Sequence, residues 1–340
     1  MLYKNIEIHN AAEIFDAGNG ASSWLRVPQS VYDGLETEQA KNMCKGSTGV
    51  ELRFTMNSPE VKIKIRSLGT DNCPCRYQVF HGGIQGGWES CSIDTYIGPK
   101  AREITIKKPK NTKMLERMNK QAGHGWDVNL VRVIFTGGVY EIYDVTGDVE
   151  PPKKSQLPEK TLLAYGSSIT HGTGALATPN MWTFTLAHNL GTDLINLGMA
   201  GSCRMEPAMV EYIAKEGETG NWDLATLELG INALDFDNSK IYERVTNTIR
   251  QIAGRNPDKK IFVISPFYSF DDFNGEGKSE NWRKIMHEIC GNLSFDNVIY
   301  IDGKEILGDM SFISADEVHP NVFGVHKIAY GLTDIIKRNI

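Results

Sequence analysis

Residues 161–172, TLLAYGSSITHG, decide the fold of this chain. Thr161–Tyr165 is a short apolar run, Gly166 opens a tight turn, and the residues after it can start a helix. A strand running straight into a helix implies a parallel sheet, and the second half of the chain repeats the pattern. Short apolar runs recur at DLINL (193–197), ATLEL (225–229), IFVIS (261–265) and VIYID (298–302). Helix-length amphipathic segments separate them, near 180–190, 205–216, 239–254, 280–292 and 322–338. Near-continuous apolar strands alternating with helices predict five parallel strands covered on both faces, a three-layer α/β/α sandwich.

The first 150 residues have a different rhythm. Gly49 to Met56, Glu60 to Leu68, Cys75 to Gly83, Ala101 to Pro109, Leu130 to Gly138 and Val139 to Val145 alternate apolar with polar residues. A period of two, with turn residues between the runs, predicts half-buried antiparallel strands and an all-β sandwich of jelly-roll type. Residues 150–160, EPPKKSQLPEK, read as a linker. The expected division is therefore a β-sandwich accessory domain over 1–150 and an α/β domain over 151–340.

The 340 residues are 41% hydrophobic and 23% charged, a globular composition with material for two cores. A net charge of −6 weighs against nucleic acid or an anionic membrane as the partner. No stretch approaches the roughly 18 apolar residues of a membrane span. No basic start followed by an apolar core marks the amino terminus as a secretion signal, so a cytoplasmic location is expected. Of the six cysteines, Cys73-Pro74-Cys75 lacks the spacing of a zinc site. Free, mostly buried thiols are the expectation.

Ligands of an open parallel sheet gather beyond the carboxyl ends of its strands. After strand one comes Gly166-Ser167-Ser168-Ile169-Thr170, and after strand two Asn196-Leu197-Gly198-Met199-Ala200-Gly201. After strand three comes Gly230-Ile231-Asn232-Ala233, and near the carboxyl terminus Asp316-Glu317-Val318-His319. Together these segments supply what acyl transfer to a serine demands. A serine on a tight turn exposes its hydroxyl, a histidine takes the proton and returns it, and a carboxylate orients the imidazole. Fixed donors must meet the oxyanion, and losing one typically costs a factor of about 10² to 10³ in rate. Gly201 can offer a backbone N–H and Asn232 a side-chain amide.

The four segments resemble, in order and spacing, the blocks of the SGNH (GDSL-like) hydrolase family. GSSIT is similar to its GDSxT block, N-x-G-x-x-G to its glycine block, G-I-N to its GxND block and D-x-x-H to its terminal block. With a β-rich first half, the chain looks like the esterase branch with an amino-terminal β-sandwich. The resemblance implies a flavodoxin-like hydrolase domain with Ser168 as nucleophile, His319 as base and Asp316 as its orienting carboxylate. It also implies oxyanion donors at the Ser168 amide, Gly201 and Asn232, and no metal or other cofactor. Two positions depart from the family pattern, Ser167 and Ala233 standing where it carries aspartates. Neither is the nucleophile or the base.

Ser167 and Glu317 compete with Ser168 and Asp316 by adjacency, and the G-x-S and D-x-x-H registers favour Ser168 and Asp316. His171 and Glu206 are candidates for substrate contacts, set against surface or helix-start roles. Trp88, Trp126 and Trp182 are weighed as sugar platforms against a core role. The loop Met114 to Asp127 is a candidate cover for the catalytic entrance. A dinucleotide site is disfavoured because G-x-G-x-x-G is absent. The expected reaction is hydrolysis of a small acyl ester, acetyl on a carbohydrate or other polar carrier. An acyltransferase with the same triad and an inactive carbohydrate-binding protein stand as alternatives. Activity should fall in acid as His319 protonates, and a chelator should leave it unchanged.

Overall fold

The computed structural model describes residues 1–69, 75–87 and 95–340. Cys73, Cys91 and Trp88 lie outside them. The first half forms two antiparallel sheets. One follows the order β1 (Leu2–Tyr3), β2 (Ile6–His9), β5 (Glu51–Met56), β10 (Leu130–Thr136), β7 (Arg76–His81), β8 (Ile84–Gln85), with β12 (Val149–Glu150) also paired to β5. The other runs β3 (Glu13–Gly18), β4 (Ala21–Leu25), β11 (Tyr140–Thr146), β6 (Glu60–Ser67), β9 (Arg102–Lys107). Their inward residues share one core, with Leu52, Phe54, Val133 and Phe135 of the first sheet meeting Trp24, Ile63, Ile104 and Ile142 of the second. Helices α1 (Gln29–Asp33), α2 (Glu38–Lys45) and α3 (Thr112–Ala122) interrupt the strands.

The second half is a five-stranded parallel sheet of β13 (Thr161–Gly166), β14 (Asp193–Gly198), β15 (Leu224–Glu228), β16 (Lys260–Ile264) and β17 (Val298–Ile301). Its order, β14-β13-β15-β16-β17, is that of a flavodoxin-like sheet. Alternate strand residues face opposite layers. Leu163, Tyr165, Leu227 and Val263 pack under α6 (Pro207–Glu218), α7 (Asn238–Arg255) and α9 (Lys278–Leu293). Leu162, Ala164, Phe262 and Ile264 pack under α5 (Trp182–Leu190) and α11 (Val322–Lys337). Short helices α4 (Ser168–His171), α8 (Phe270–Asn274) and α10 (Gly303–Ile306) lie in connections after strands.

β14 is an edge strand, and its outward main chain must find partners outside the sheet. The all-β domain provides them. His9 Nε2 lies 2.7 Å from Leu194 O, Arg26 Nη1 and Asn10 Nδ2 donate to Asn196 O, and Arg26 Nη2 donates to Gly198 O. The outward carbonyls at 194, 196 and 198 are thus all taken by residues of the first half. Below them Arg53 makes a two-pronged pair with Asp193, both contacts 2.6 Å, and reaches Glu51 at 2.8 Å. Glu51 also holds Arg132, whose guanidinium stacks 3.7 Å from the Trp126 ring centroid.

Two expectations change. The stretch 150–160 is tethered: buried Gln156 bonds Thr55, and its carbonyl accepts from the Asp127 amide at 3.0 Å. The loop Met114 to Asp127 does not cover the catalytic end. His124 stacks on His188, 4.0 Å between centroids, and Asp127 meets Gln156. Those partners immediately precede β14 and β13, so the loop sits at the opposite, amino end of the sheet. No helix among the described residues is long and apolar enough to cross a membrane.

Asp193→Asn would leave the buried Arg53 and Arg132 to share one carboxylate, Glu51, a defect worth about 3–5 kcal/mol. Urea unfolding should show a loss of that size. Burial would raise Glu51, but Arg132 and Arg53 hold it down at about 2 against a usual 4.5. A depressed carboxyl stabilises the fold above its unfolded value, so its contribution should be full above pH 4.5 and fade as the pH falls towards 2.

Candidate active site

The candidate residues stand at the carboxyl ends of the parallel strands. β13 ends at Gly166 and the chain turns at once into α4. Ser167 caps that helix, its hydroxyl accepting from the Ile169 amide at 3.1 Å. Ser168 follows as the first helical residue and is 7% exposed. Its Oγ lies 2.7 Å from His319 Nε2, and His319 Nδ1 lies 2.7 Å from Asp316 Oδ2. Asp316 Oδ1 accepts from the His319 and Val318 amides at 2.9 and 3.0 Å and from the Ser314 hydroxyl at 2.8 Å. Burial alone would raise this carboxyl, but those donors and the His319 ring hold it well below the usual carboxylate range. An ionised Asp316 makes Nδ1 the protonated nitrogen and leaves Nε2 to accept from Ser168.

The turn that sets Asp316 and His319 side by side is closed by Ser314 N donating to His319 O at 2.8 Å. It passes through Glu317 in the left-handed region, φ 66°. That conformation costs on the order of 1 kcal/mol for a non-glycine residue. Glu317 is engaged through its main chain, to Ser314 O and Phe270 N, while Asp316 holds the histidine.

Three donors are carried by the segments that follow β13, β14 and β15. The Met199 amide donates to Gly166 O at 2.8 Å, which brings the loop carrying Gly201 to the start of the serine turn. Asn232 is fixed at both its oxygens, Oδ1 by the Cys203 amide at 3.2 Å and its carbonyl by Arg204 at 2.8 Å. Arg204 is itself held by a two-pronged pair with Asp235. The Ser168 amide, the Gly201 amide and Asn232 Nδ2 donate to no protein acceptor among the described residues.

Glu228, the last residue of β15, escapes a reading of ATLEL as one more apolar strand. It is fully buried beneath the serine turn and accepts from the Ser167 amide at 2.7 Å, the Ser167 hydroxyl at 2.7 Å and the Thr170 hydroxyl at 3.0 Å. Gly166 is required here, because a Cβ would stand 2.6 Å from Glu228 Oε2. Burial pushes the carboxyl up to about 7, against the pull of the Ser167 and Thr170 donors. The geometry accounts for Ser167 in place of the family's aspartate: an acid there would face Glu228 as a second carboxylate. The available signal was a lone charge inside an apolar strand.

Other candidates have internal roles. His171 Nδ1 bonds Gly198 O and Nε2 bonds Thr48 Oγ1, both at 2.9 Å, so neither nitrogen is left for a substrate. Burial and the Arg26 charge lower its pKa to about 4, which keeps the ring neutral. Glu206 is 2% exposed, raised by burial, and accepts from the Glu36 amide at 3.0 Å. It lies in the seam between the halves. Trp126 packs under Arg132, and Trp182 donates from its indole to Ile169 O at 3.0 Å, bracing α4 from the core. Cys44, Cys203 and Cys290 carry free thiols. Among the described residues no group of three or more His, Cys, Asp or Glu side chains could hold a metal ion.

Comparison with known proteins adds the lineage. The model of the GDSL-like lipase/acylhydrolase family matches residues 159–337. The chain belongs to that family. Solved structures of similar fold extend the likeness over both halves. A salicylyl-acyltransferase from a tetracycline biosynthetic pathway is 18% identical, with a TM-score of 0.76 over 98% of this chain and 95% of its own. A family two carbohydrate esterase from Cellvibrio japonicus is 12% identical, with a TM-score of 0.65 over 98% and 95%. An acetyl xylan esterase from the rumen bacterium Butyrivibrio proteoclasticus is 12% identical, with a TM-score of 0.53 over 85% and 90%. At these identities the likeness to each is one of fold. No curated protein matches the chain in sequence.

Glu228→Gln should test the buried acid. A folded-state pKa raised from 4.5 to about 7 means stability is full below 4.5 and lost as the pH rises through 7. The variant, which cannot ionise, should gain on the wild type by up to about 3 kcal/mol between pH 5 and pH 8 in urea unfolding. A difference that stays flat with pH would contradict the assignment.

Proposed function

We propose that this protein is a serine esterase that removes short acyl groups, acetyl first among them, from a carbohydrate or other small polar carrier. The carrying observation is the line Ser168 Oγ, His319, Asp316 with 2.7 Å at both links. In this reading His319 Nε2 takes the Ser168 proton as Oγ attacks the acyl carbonyl. The Ser168 and Gly201 amides and Asn232 Nδ2 receive the oxyanion. The imidazolium, stabilised by Asp316, returns the proton to the leaving alcohol, and water cleaves the acyl-enzyme by the same route.

The polar carrier is supported by the fold shared over both halves with a carbohydrate esterase and an acetyl xylan esterase. The fold shared with a salicylyl-acyltransferase supports a second reading, in which an alcohol takes the acyl group in place of water. Both readings use the same acyl-enzyme and differ in the second acceptor.

Wild type should hydrolyse p-nitrophenyl acetate in a burst followed by a steady rate. Ser168→Ala should lose on the order of 10⁶-fold in kcat, and Asp316→Asn about 10²- to 10⁴-fold. Release of acetate from acetylated sugars separates this function from a binding protein, for which Ser168→Ala would equal the wild type. Acylated alcohol among the products would select the transferase.

A further inference from the structure

We propose that the all-β domain is a working part of the catalytic centre, with Gln39 and Arg26 as positioning residues for the loop that carries Gly201. The inference rests on the serine-esterase reading and on one property of the peptide bond. The C=O of residue 200 and the N–H of residue 201 belong to the same planar trans unit and point in opposite directions. Gln39 Nε2 donates to Ala200 O at 3.2 Å. Whatever fixes that carbonyl fixes the direction of the Gly201 amide and, by polarising the unit, strengthens it as a donor.

The peptide unit two before it, between Gly198 and Met199, is held the same way. Arg26 Nη2 donates to Gly198 O at 2.9 Å, and the Met199 N–H on the far side of that unit reaches Gly166 O at 2.8 Å. Gly198 O also meets His171 Nδ1, and His171 Nε2 meets Thr48 of the all-β domain. Arg26 is 2% exposed and has no carboxylate partner among the described residues; its fork is spent on the carbonyls of Met43, Asn196 and Gly198. A buried guanidinium devoted to main-chain oxygens is costly to maintain, and it binds α2 and the end of β14 into one piece.

Gln39 stands on firm ground. α2 is capped by Thr37, whose hydroxyl accepts from the Ala40 amide at 3.1 Å. It buries Ala40 and Cys44 in the core shared with Leu197, Met199 and Met205 of the α/β half. An added Cβ on Gly201 would lie 3.6 Å from Gln39 Nε2, so the side chain rests against the loop as well as bonding it.

Gln39→Met keeps the length of the side chain and removes the donor. On p-nitrophenyl acetate it should lower kcat about tenfold, with KM within about twofold of wild type. Its melting temperature and the pH midpoint of kcat should stay at wild-type values, because the residue is exposed and the triad untouched. Arg26→Lys cannot span three carbonyls and should lower kcat further. Should it fail to fold, Gln39→Met decides alone. A Gln39→Met enzyme with wild-type kcat, against an inactive Ser168→Ala, would overturn the inference. An active Ser168→Ala would instead remove the esterase reading beneath it.

Discussion

The open edge of β14 is the constraint from which the arrangement follows. A parallel sheet five strands wide leaves two edges, and this edge carries the strand that ends next to the proposed nucleophile. Outward carbonyls at Leu194, Asn196 and Gly198 would otherwise face water or a stray partner strand. Side chains of the all-β domain meet each of them, so the seam between the halves is polar. Two of its outward amides are satisfied locally, Leu194 N by Asp193 Oδ1 and Gly198 N by Asn196 Oδ1. Such a contact is directional. It fixes the position of one half on the other more strictly than an apolar patch of equal size, because each hydrogen bond has a length and an angle to meet.

The α/β half was legible in the sequence because its information is local. A run such as IFVIS is buried on both faces whatever its neighbours do, and the segments after each strand declare themselves by glycine, serine, asparagine and histidine at fixed places. The six longer later strands of the first half, β5, β6, β7, β9, β10 and β11, were legible for the same reason. β2, β3 and β4 were not, since IEIH is short and EIFDAG and ASSWL break the alternation, with Ser23 buried in β4 and β3 carrying no buried residue. Arg26, at the end of that region, reads as an ordinary surface arginine; only the fold brings it to a main chain some 170 positions away. The placement of Met114 to Asp127 failed on the same point. A loop's own sequence does not say which end of a distant sheet it meets.

Glu228 shows what the site costs. An acid without exposure, raised to about 7, destabilises the fold whenever it ionises, and a leucine there would pack more cheaply. In return it gathers the Ser167 amide and hydroxyl and the Thr170 hydroxyl, anchoring the chain before and after Ser168. Left-handed Glu317 is a second cost of the same kind, since it lets an aspartate and a histidine three residues apart meet through their side chains. Local expense falls where geometry has to be held, and the cores that offset it lie elsewhere.

These features bear on why a hydrolase of this family carries an all-β domain at all. A detachable carbohydrate-binding module would need only a tether and an exposed face. Here separation would strip partners from three carbonyls of β14, leave Asp193 without Arg53 and unseat α2 from the core around Met199 and Met205. The peptide units at 198 and 200 would lose their outer anchors, and the amides at 199 and 201 their fixed direction. The effect of the all-β domain is then to set the end of β14, and the proposed oxyanion amide takes its direction from that setting.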